Sequence, residues 1–485
     1  MTRVVLRPVV FNSGQLVASR CASLAEAATS ALVVGVFGFL ALIRTPPVRR
    51  VLVAVLVFDI VLQFDTNFFY REDPAELGSL GGLNISITTF ALAALYVGWL
   101  VDVLAAKSTP QTLRFSWSLF TYVALVLLSV MVARDHELAI FELALLVQMA
   151  LVFFFIANFV RTPADAVFLV RLLLVSLALE SALMVAAYAG LALTLPGLSS
   201  QQQSGIFTRV GGTLGSPNNA AAYLMVALAL VMGVLLTGAR GRLRLLALVS
   251  GGLGGAALLV TFSRGGWLGF VVATTVLLIC AWRRGRLRAG LPLKLMTGTL
   301  LVALFFGQTI RERIFGDDRG AAYSRIPLMK LALRVIADNP VLGVGANNLP
   351  IRFDDYAGHE MSGEWLYAVH NQYLLVWAEQ GTLGLLAYLT FLLGTLRNAW
   401  RCWRGSHPML SPLALGLLAG LIGFMVHMAV DVFRDRPLLQ LLCVVSGLTT
   451  AILPMTVAEA GRRNASPSST LSLQRAPGKS SPQYS

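Results

Sequence analysis

Apolar runs about as long as a lipid bilayer is thick recur along this chain, and no other feature constrains its fold as strongly. A helix needs roughly 20 apolar residues to cross the hydrocarbon core. Runs near that length, some shortened at turns, occupy 28–43, 51–64, 84–104, 116–132, 138–160, 166–194, 217–237, 245–262, 266–282, 295–310, 382–396, 411–431 and 437–453. In lipid each backbone N–H and C=O must be satisfied within its own segment, so open spans of this kind are helices. The expected fold class is an all-α polytopic membrane protein with about 12 to 13 transmembrane helices. Composition excludes the water-soluble alternative: 13% of the residues are charged and 56% hydrophobic, whereas about a quarter of a soluble chain is charged.

Charge orients the spans. Lys and Arg number 38 and Asp and Glu 24, a net +14, and the basic residues gather in short connections: Arg44, Arg49 and Arg50; Lys107 and Arg114; Arg240, Arg242 and Arg244; Arg283 to Lys294; Arg397, Arg401 and Arg404. That placement is the topological charge of cytoplasmic loops, not a nucleic-acid footprint. The spans from residue 51 onward then alternate with both ends inside, and 28–43 is either one more span or an interfacial element. Residues 1–27 carry Arg3, Arg7 and Arg20 without a compact apolar core and cleavage signal, so no cleaved signal peptide is expected. Cys21, Cys280, Cys402 and Cys443 show no metal-binding or disulfide spacing. No internal repeat is apparent.

The expected organisation is an N-terminal segment 1–27, transmembrane helices over 28–310, an outer (periplasmic) loop 311–381, C-terminal transmembrane helices over 382–453, and a disordered tail 460–485 rich in Ser, Pro and Gly. A loop of some seventy residues is far longer than ordinary connections, and its helix-like patterning through Leu331, Leu333, Val335 and Ile336 marks it as ordered.

Three polar clusters interrupt the outer face. Arg209 is followed by glycines and by Ser216-Pro217-Asn218-Asn219, a helix start with Ser216 as cap and Pro217 in the first turn. A helix N-terminus beside an arginine is an anion site; the bland alternative is Arg209 reaching to lipid headgroups. Thr261-Phe262-Ser263-Arg264-Gly265-Gly266 is a tight turn with an arginine at its apex, to be satisfied by an anion or by a carboxylate such as Asp431 or Glu379. The long loop carries Arg325, then Asp338-Asn339-Pro340 and Gly343-Val344-Gly345, and closes with His370-Asn371 before an apolar helix. There His370 is a structural cap or a proton acceptor at the mouth of the bundle. Glu180, inside a long apolar run, is expected to pair with an arginine or to mark a misplaced boundary.

Taken in order, the Arg209-to-Asn219 stretch, the Ser263-Arg264-Gly265 turn, the Arg325-to-Gly345 stretch with its Asn-Pro-x-x-Gly-x-Gly ending, and His370-Asn371-x-x-Leu374 leading to Glu379-x-Gly381-x-x-Gly384 resemble the O-antigen ligase and polymerase superfamily of bacterial envelope glycosyltransferases. The resemblance covers roughly residues 205–395. It implies inverting, metal-independent and cofactor-free transfer of a glycan from undecaprenyl diphosphate to a glycolipid or glycan acceptor at the periplasmic face of the bacterial inner membrane. On the matching positions, Arg209, Arg264 and Arg325 would bind the diphosphate, His370 would be catalytic, and Asn371, Ser263 and Asn218 would support them. The membrane lipid is the remaining partner. O-antigen ligase, with lipid A core as acceptor, is the leading reading; a polymerase joining carrier-linked repeats and a polysaccharide-lipid transporter are the alternatives. Transport is disfavoured because the polar residues lie on one face and few ionisable groups (Asp59, Asp102, Glu180, His427, Asp431) sit at depth.

Overall fold

A computed structural model of the chain describes residues 41–105, 112–191, 202–204, 207–287, 307–308, 311–313, 325–357 and 367–464. The expected runs at 28–43 and 295–310 fall largely outside those residues, as does nearly all of the tail, together with Cys21. The other eleven runs each coincide with a helix: Pro46–Leu62 (α1), Ile87–Leu104 (α2), Trp117–Ser129 (α3), His136–Phe159 (α4), Pro163–Tyr188 (α5), Pro217–Leu236 (α6), Gly241–Val260 (α7) and Arg264–Arg283 (α8), then, after the loop helix Arg325–Asp338 (α9), Gln372–Arg404 (α10), Leu410–Met428 (α11) and Arg436–Asn464 (α12). Among the described residues nine are long and apolar enough to cross a membrane. The count falls below 12 to 13 because two runs lie outside the description and because α1, at 17 residues, and α3, at 13, are short. The protein is a helical, polytopic membrane protein. Among the described residues the strands are two short antiparallel ribbons, Asp65–Phe68 (β1) with Leu83–Ser86 (β2) and Gln202–Ser204 (β3) with Phe207–Arg209 (β4).

The chain divides into two compact units, residues 1–53 with 90–111 and residues 54–89 with 112–485. In the first, Asp102 near the end of α2 accepts from Arg44 at 2.8 Å and is also paired with Arg49. In the second, α11 lies against both α6 and α8. Lipid tails are as apolar as leucine, so helices there associate through close packing of small residues. Gly416, Gly420 and Gly423 form that seam: a methyl group on Gly416 would sit 2.7 Å from the Ala229 carbonyl oxygen, and one on Gly423 2.5 Å from that of Gly269.

Residues 340–345 of the long loop are fixed by a break in α10. Gly381 has φ +67° and ψ −174° inside that helix, which interrupts the helical ladder and frees carbonyls of the turn before it. The N–H groups of Val344 and Gly345 bond the carbonyls of Ala378 and Glu379 at 3.0 and 2.9 Å, and Thr382 N–H returns to Pro340 O at 2.8 Å. The Asn-Pro-x-x-Gly-x-Gly turn is therefore the plug for that break, with Gly343 at φ +70° so close to Glu379 that a methyl group would lie 2.4 Å from its backbone carbon. Just beyond, the buried Asn347 side chain binds the backbone of Leu80 and Leu138, and Asn348 binds that of Asp135. α10 thus starts at Gln372, ten residues ahead of the expected apolar run, because its first turns pack on the loop instead of on lipid.

Two buried arginines are paired with acids. Arg434 reaches Glu142 of α4 at 2.8 Å and Glu379 of α10 at 3.2 Å, while Arg436 binds Asp59 and Asp65, each at 3.0 Å. Burial disfavours the Arg434 charge, but the two glutamates outweigh it and hold its pKa above the ordinary value. Among the described residues Glu180 has no arginine partner, and it lies inside α5 instead of at a boundary: its carboxylate accepts from the Thr213 backbone at 3.0 Å and from the Thr213 hydroxyl at 2.5 Å. In that way it anchors the loop that follows Arg209.

Candidate functional site

The site is assembled where α6, α8 and α10 begin and α11 ends. Ser216 caps α6 by accepting from Asn218 N–H at 3.2 Å, with Pro217 in the first turn, as the sequence leads one to expect. Arg209 lies beside that start. Its Nε donates to Thr261 O at 3.0 Å and an Nη to Asn218 Oδ1 at 2.7 Å, while Val210 N–H bonds Val260 O. Arg209 is thereby held against the α7–α8 turn. There Ser263 caps α8 through Gly266 N–H at 3.3 Å, leaving Arg264 as the first helical residue. Phe262 adopts φ +48°, uncommon for a bulky residue, and its carbonyl accepts from Arg313 Nε at 2.9 Å. From the loop helix, Arg325 donates to Val430 O at 2.8 Å.

These arginines feel one another. Burial pushes the pKa of Arg209 down to about 10; the positive charges of Arg313, Arg325 and Arg264 act in the same direction, and Asp431 opposes them. Arg209 remains charged at neutral pH. The four guanidinium groups concentrate positive potential at one end of the bundle, beside two helix N-termini, an arrangement whose charge and dipole both favour an anion. Arg313 has no counterpart among the expected site residues. Its only sequence signal was membership of the long loop.

His370 stands next to this cluster. Its Nδ1 is 3.1 Å from Asp431 Oδ1, and Asp431 lies in the α11–α12 connection. Burial opposes ionisation of Asp431, yet the His370 hydrogen bond and the charges of His427, His370 and Arg325 hold its carboxyl below the ordinary 3.8. An ionised carboxylate only accepts, so Nδ1 is the donor in this contact and Nε2 is the ring nitrogen left for another partner. Asn371 caps α10 by accepting from Tyr373 and Leu374 N–H and donates to Ala429 O. Gln372 N–H bonds Asp431 O, and the Gln372 side chain accepts from Phe433 N–H. The α10 start and the Asp431 loop are in this way one hydrogen-bonded unit. Asp431 is the residue that sequence reading undervalued: it stood out as a charge ending an apolar run, but nothing local to it points to a histidine 61 positions away.

Behind Asp431, His427 is fully buried 4.0 Å from its carboxylate, against Phe433. A methyl group on Gly265 would fall 2.6 Å from the His427 ring. That contact explains the glycine after Arg264 by packing. Below the arginines, α6, α7 and α8 enclose an apolar groove of about 260 Å³ lined by Leu228, Val231, Met232, Leu248 and Phe270 among others.

Arg209, Arg264, Arg325 and His370 are therefore gathered at one end of the helices, with Asn218, Ser263 and Asn371 as the residues that hold three of them in place. No curated protein matches the chain. Residues 249–389, which carry the Arg264 turn, Arg313, Arg325, His370 and the break in α10, match the family model described as O-antigen ligase, so this stretch of the polytopic membrane protein is similar to the O-antigen ligase superfamily.

Proposed function

We propose that the protein transfers a glycan from undecaprenyl diphosphate to an acceptor hydroxyl at the periplasmic face of the bacterial inner membrane, as an O-antigen ligase with lipid A core as acceptor. The observation that carries this reading is the mutual approach of Arg209, Arg264, Arg313 and Arg325 next to the His370–Asp431 pair. A diphosphate leaving group gains negative charge as its bond to the sugar breaks, and fixed guanidinium forks are suited to phosphate oxygens. The apolar groove between α6, α7 and α8, below the same helix starts, suits a polyprenyl tail.

In the proposed step the acceptor hydroxyl gives its proton to Nε2 of His370 while its oxygen attacks the anomeric carbon from the side opposite the diphosphate. A new C–O bond forms, the bond from the anomeric carbon to the phosphate oxygen breaks, and its electron pair leaves on undecaprenyl diphosphate, inverting the anomeric centre. Asp431 orients the imidazole and stabilises the imidazolium that forms, the role a carboxylate plays beside a general-base histidine. The test is transfer by the full-length protein reconstituted with carrier-linked glycan, offering lipid A core or a second carrier-linked repeat as acceptor. Product on lipid A core that is lost in Arg264→Ala and His370→Ala supports ligation, product on the second repeat replaces it with polymerisation, and unimpaired transfer by Arg264→Ala refutes the site.

A further inference from the structure

A second recess opens beside this centre. It encloses about 290 Å³ between the β1–β2 ribbon, the 70–82 segment, one face of α4 and the start of α12. Its size is near the lower end of small-ligand pockets, which run roughly 300–1,000 Å³. The wall is rich in acceptors: Asp65, Asn67, Asn84 and Asp435. Asn84 spends its amide N–H groups on Asp65 Oδ2 at 3.2 Å and Asn67 Oδ1 at 3.1 Å, and among the described residues its buried Oδ1 has no hydrogen-bond partner. Arg436, the cation in the wall, is already paired with Asp59 and Asp65. Tyr70, a residue 58% exposed, completes the recess. Asp435 is open to solvent yet so surrounded by protein that its carboxyl pKa is raised, with Asp431 and Asp65 adding to the effect.

Such a wall repels phosphate and offers hydroxyl donors several acceptors plus an amphipathic aromatic face. It is also joined to the reaction centre. Consecutive residues of α6 serve the two sites, Asn218 binding Arg209 and Asn219 binding Asp435 Oδ2 at 2.6 Å. Asp431 and Asp435 are four residues apart, and Tyr367, its ring 5.9 Å from that of His370, is near enough to feel both carboxylates.

We propose that this recess is the saccharide subsite of the transfer reaction, holding a neutral pyranose by its hydroxyls next to His370. The inference rests on the glycan-transfer reading and names where a sugar sits within it; that sugar belongs either to the donor or to the acceptor. The test uses full-length protein in lipid nanodiscs with three measurements: binding of undecaprenyl diphosphate without sugar, KM for carrier-linked glycan extracted from source cells lacking this protein, and KM for the acceptor. Tyr70→Ala, at an exposed ring, and Asn84→Ala are expected to leave undecaprenyl diphosphate binding within roughly twofold of wild type and to raise one of the two KM values about tenfold, the loss of about one hydrogen bond or stacking contact. A rise in donor KM assigns the recess to the donor sugar, a rise in acceptor KM to the acceptor sugar, and Tyr70→Phe should restore wild-type values in either case. If both KM values stay within roughly twofold in variants with unchanged melting, or if undecaprenyl diphosphate binding falls in parallel, the subsite is refuted while the transfer reading stands. If wild-type protein fails to bind undecaprenyl diphosphate, both fall together.

Discussion

Replacing Asp431 by Asn removes one charge and almost no volume, and the geometry predicts that binding and transfer will respond with opposite signs. The Asp431 carboxylate lies 3.1 Å from His370 Nδ1. If His370 gains a proton in the transition state, Coulomb attraction at that distance with an effective dielectric of about 20 sets an upper bound of about 5 kcal/mol. The net worth of a hydrogen bond to a charged group is smaller, about 1.5–3 kcal/mol. At 1.36 kcal/mol per decade, kcat should fall about 10- to 150-fold. The same carboxylate opposes the positive field around Arg209, so undecaprenyl diphosphate should bind Asp431→Asn at least as tightly as wild type. Single-turnover transfer by reconstituted protein gives the first quantity and titration with undecaprenyl diphosphate the second. A kcat within about threefold of wild type, or a loss that appears in diphosphate affinity instead, would show that Asp431 does not act through His370.

Three further outcomes follow from burial and backbone geometry. Gly381→Ala places a methyl group 2.1 Å from Val341 O at φ +67°, so it should cost about 3 kcal/mol or more of stability, whereas Gly255→Ala, with nothing within 4 Å, should be neutral or stabilise by up to about 1 kcal/mol; melting in detergent separates them. Arg434→Met should destabilise by about 3–5 kcal/mol because Glu142 and Glu379 are left buried and unpaired, and adding Glu142→Gln and Glu379→Gln should recover much of the loss in the same assay. The Asp431 carboxyl titrates lower in the folded protein than its ordinary 3.8, so its contribution to stability is present above pH 3.8 and disappears as pH falls through the folded value; an acid melting series should show a loss below pH 3.8 that Asp431→Asn reduces, and an unchanged series would refute the pairing.

The spans were legible because lipid imposes one rule on every residue in them: the apolar runs at 217–237 and 266–282 differ from α6 and α8 by only a residue or two at either end. The arginines and His370 were legible as charges where apolar runs end. What sequence could not supply was contact between distant segments. Asp431 meets His370 across 61 residues, and Arg313 reaches Phe262 O across 51. The Asn339-to-Gly345 motif is legible as one of the stretches that carry the family resemblance, and its physical task emerges only with the break at Gly381. Glu180 departs from the expected arginine pairing for a related reason: its partner is Thr213, whose hydroxyl and backbone carry no charge to draw attention.

The Glu142–Arg434–Glu379 cluster also bears on biogenesis. Helices leave the translocation machinery in chain order, so α4 and α10 enter the bilayer before residue 434 has been synthesised. Until then Glu142 and Glu379 must stay protonated, hydrated or near the headgroups, and only the last loop supplies the cation that lets them settle. A nascent chain stopped short of Arg434 would carry two stranded acids in lipid, a lesion that membrane quality control could recognise before the final helix arrives.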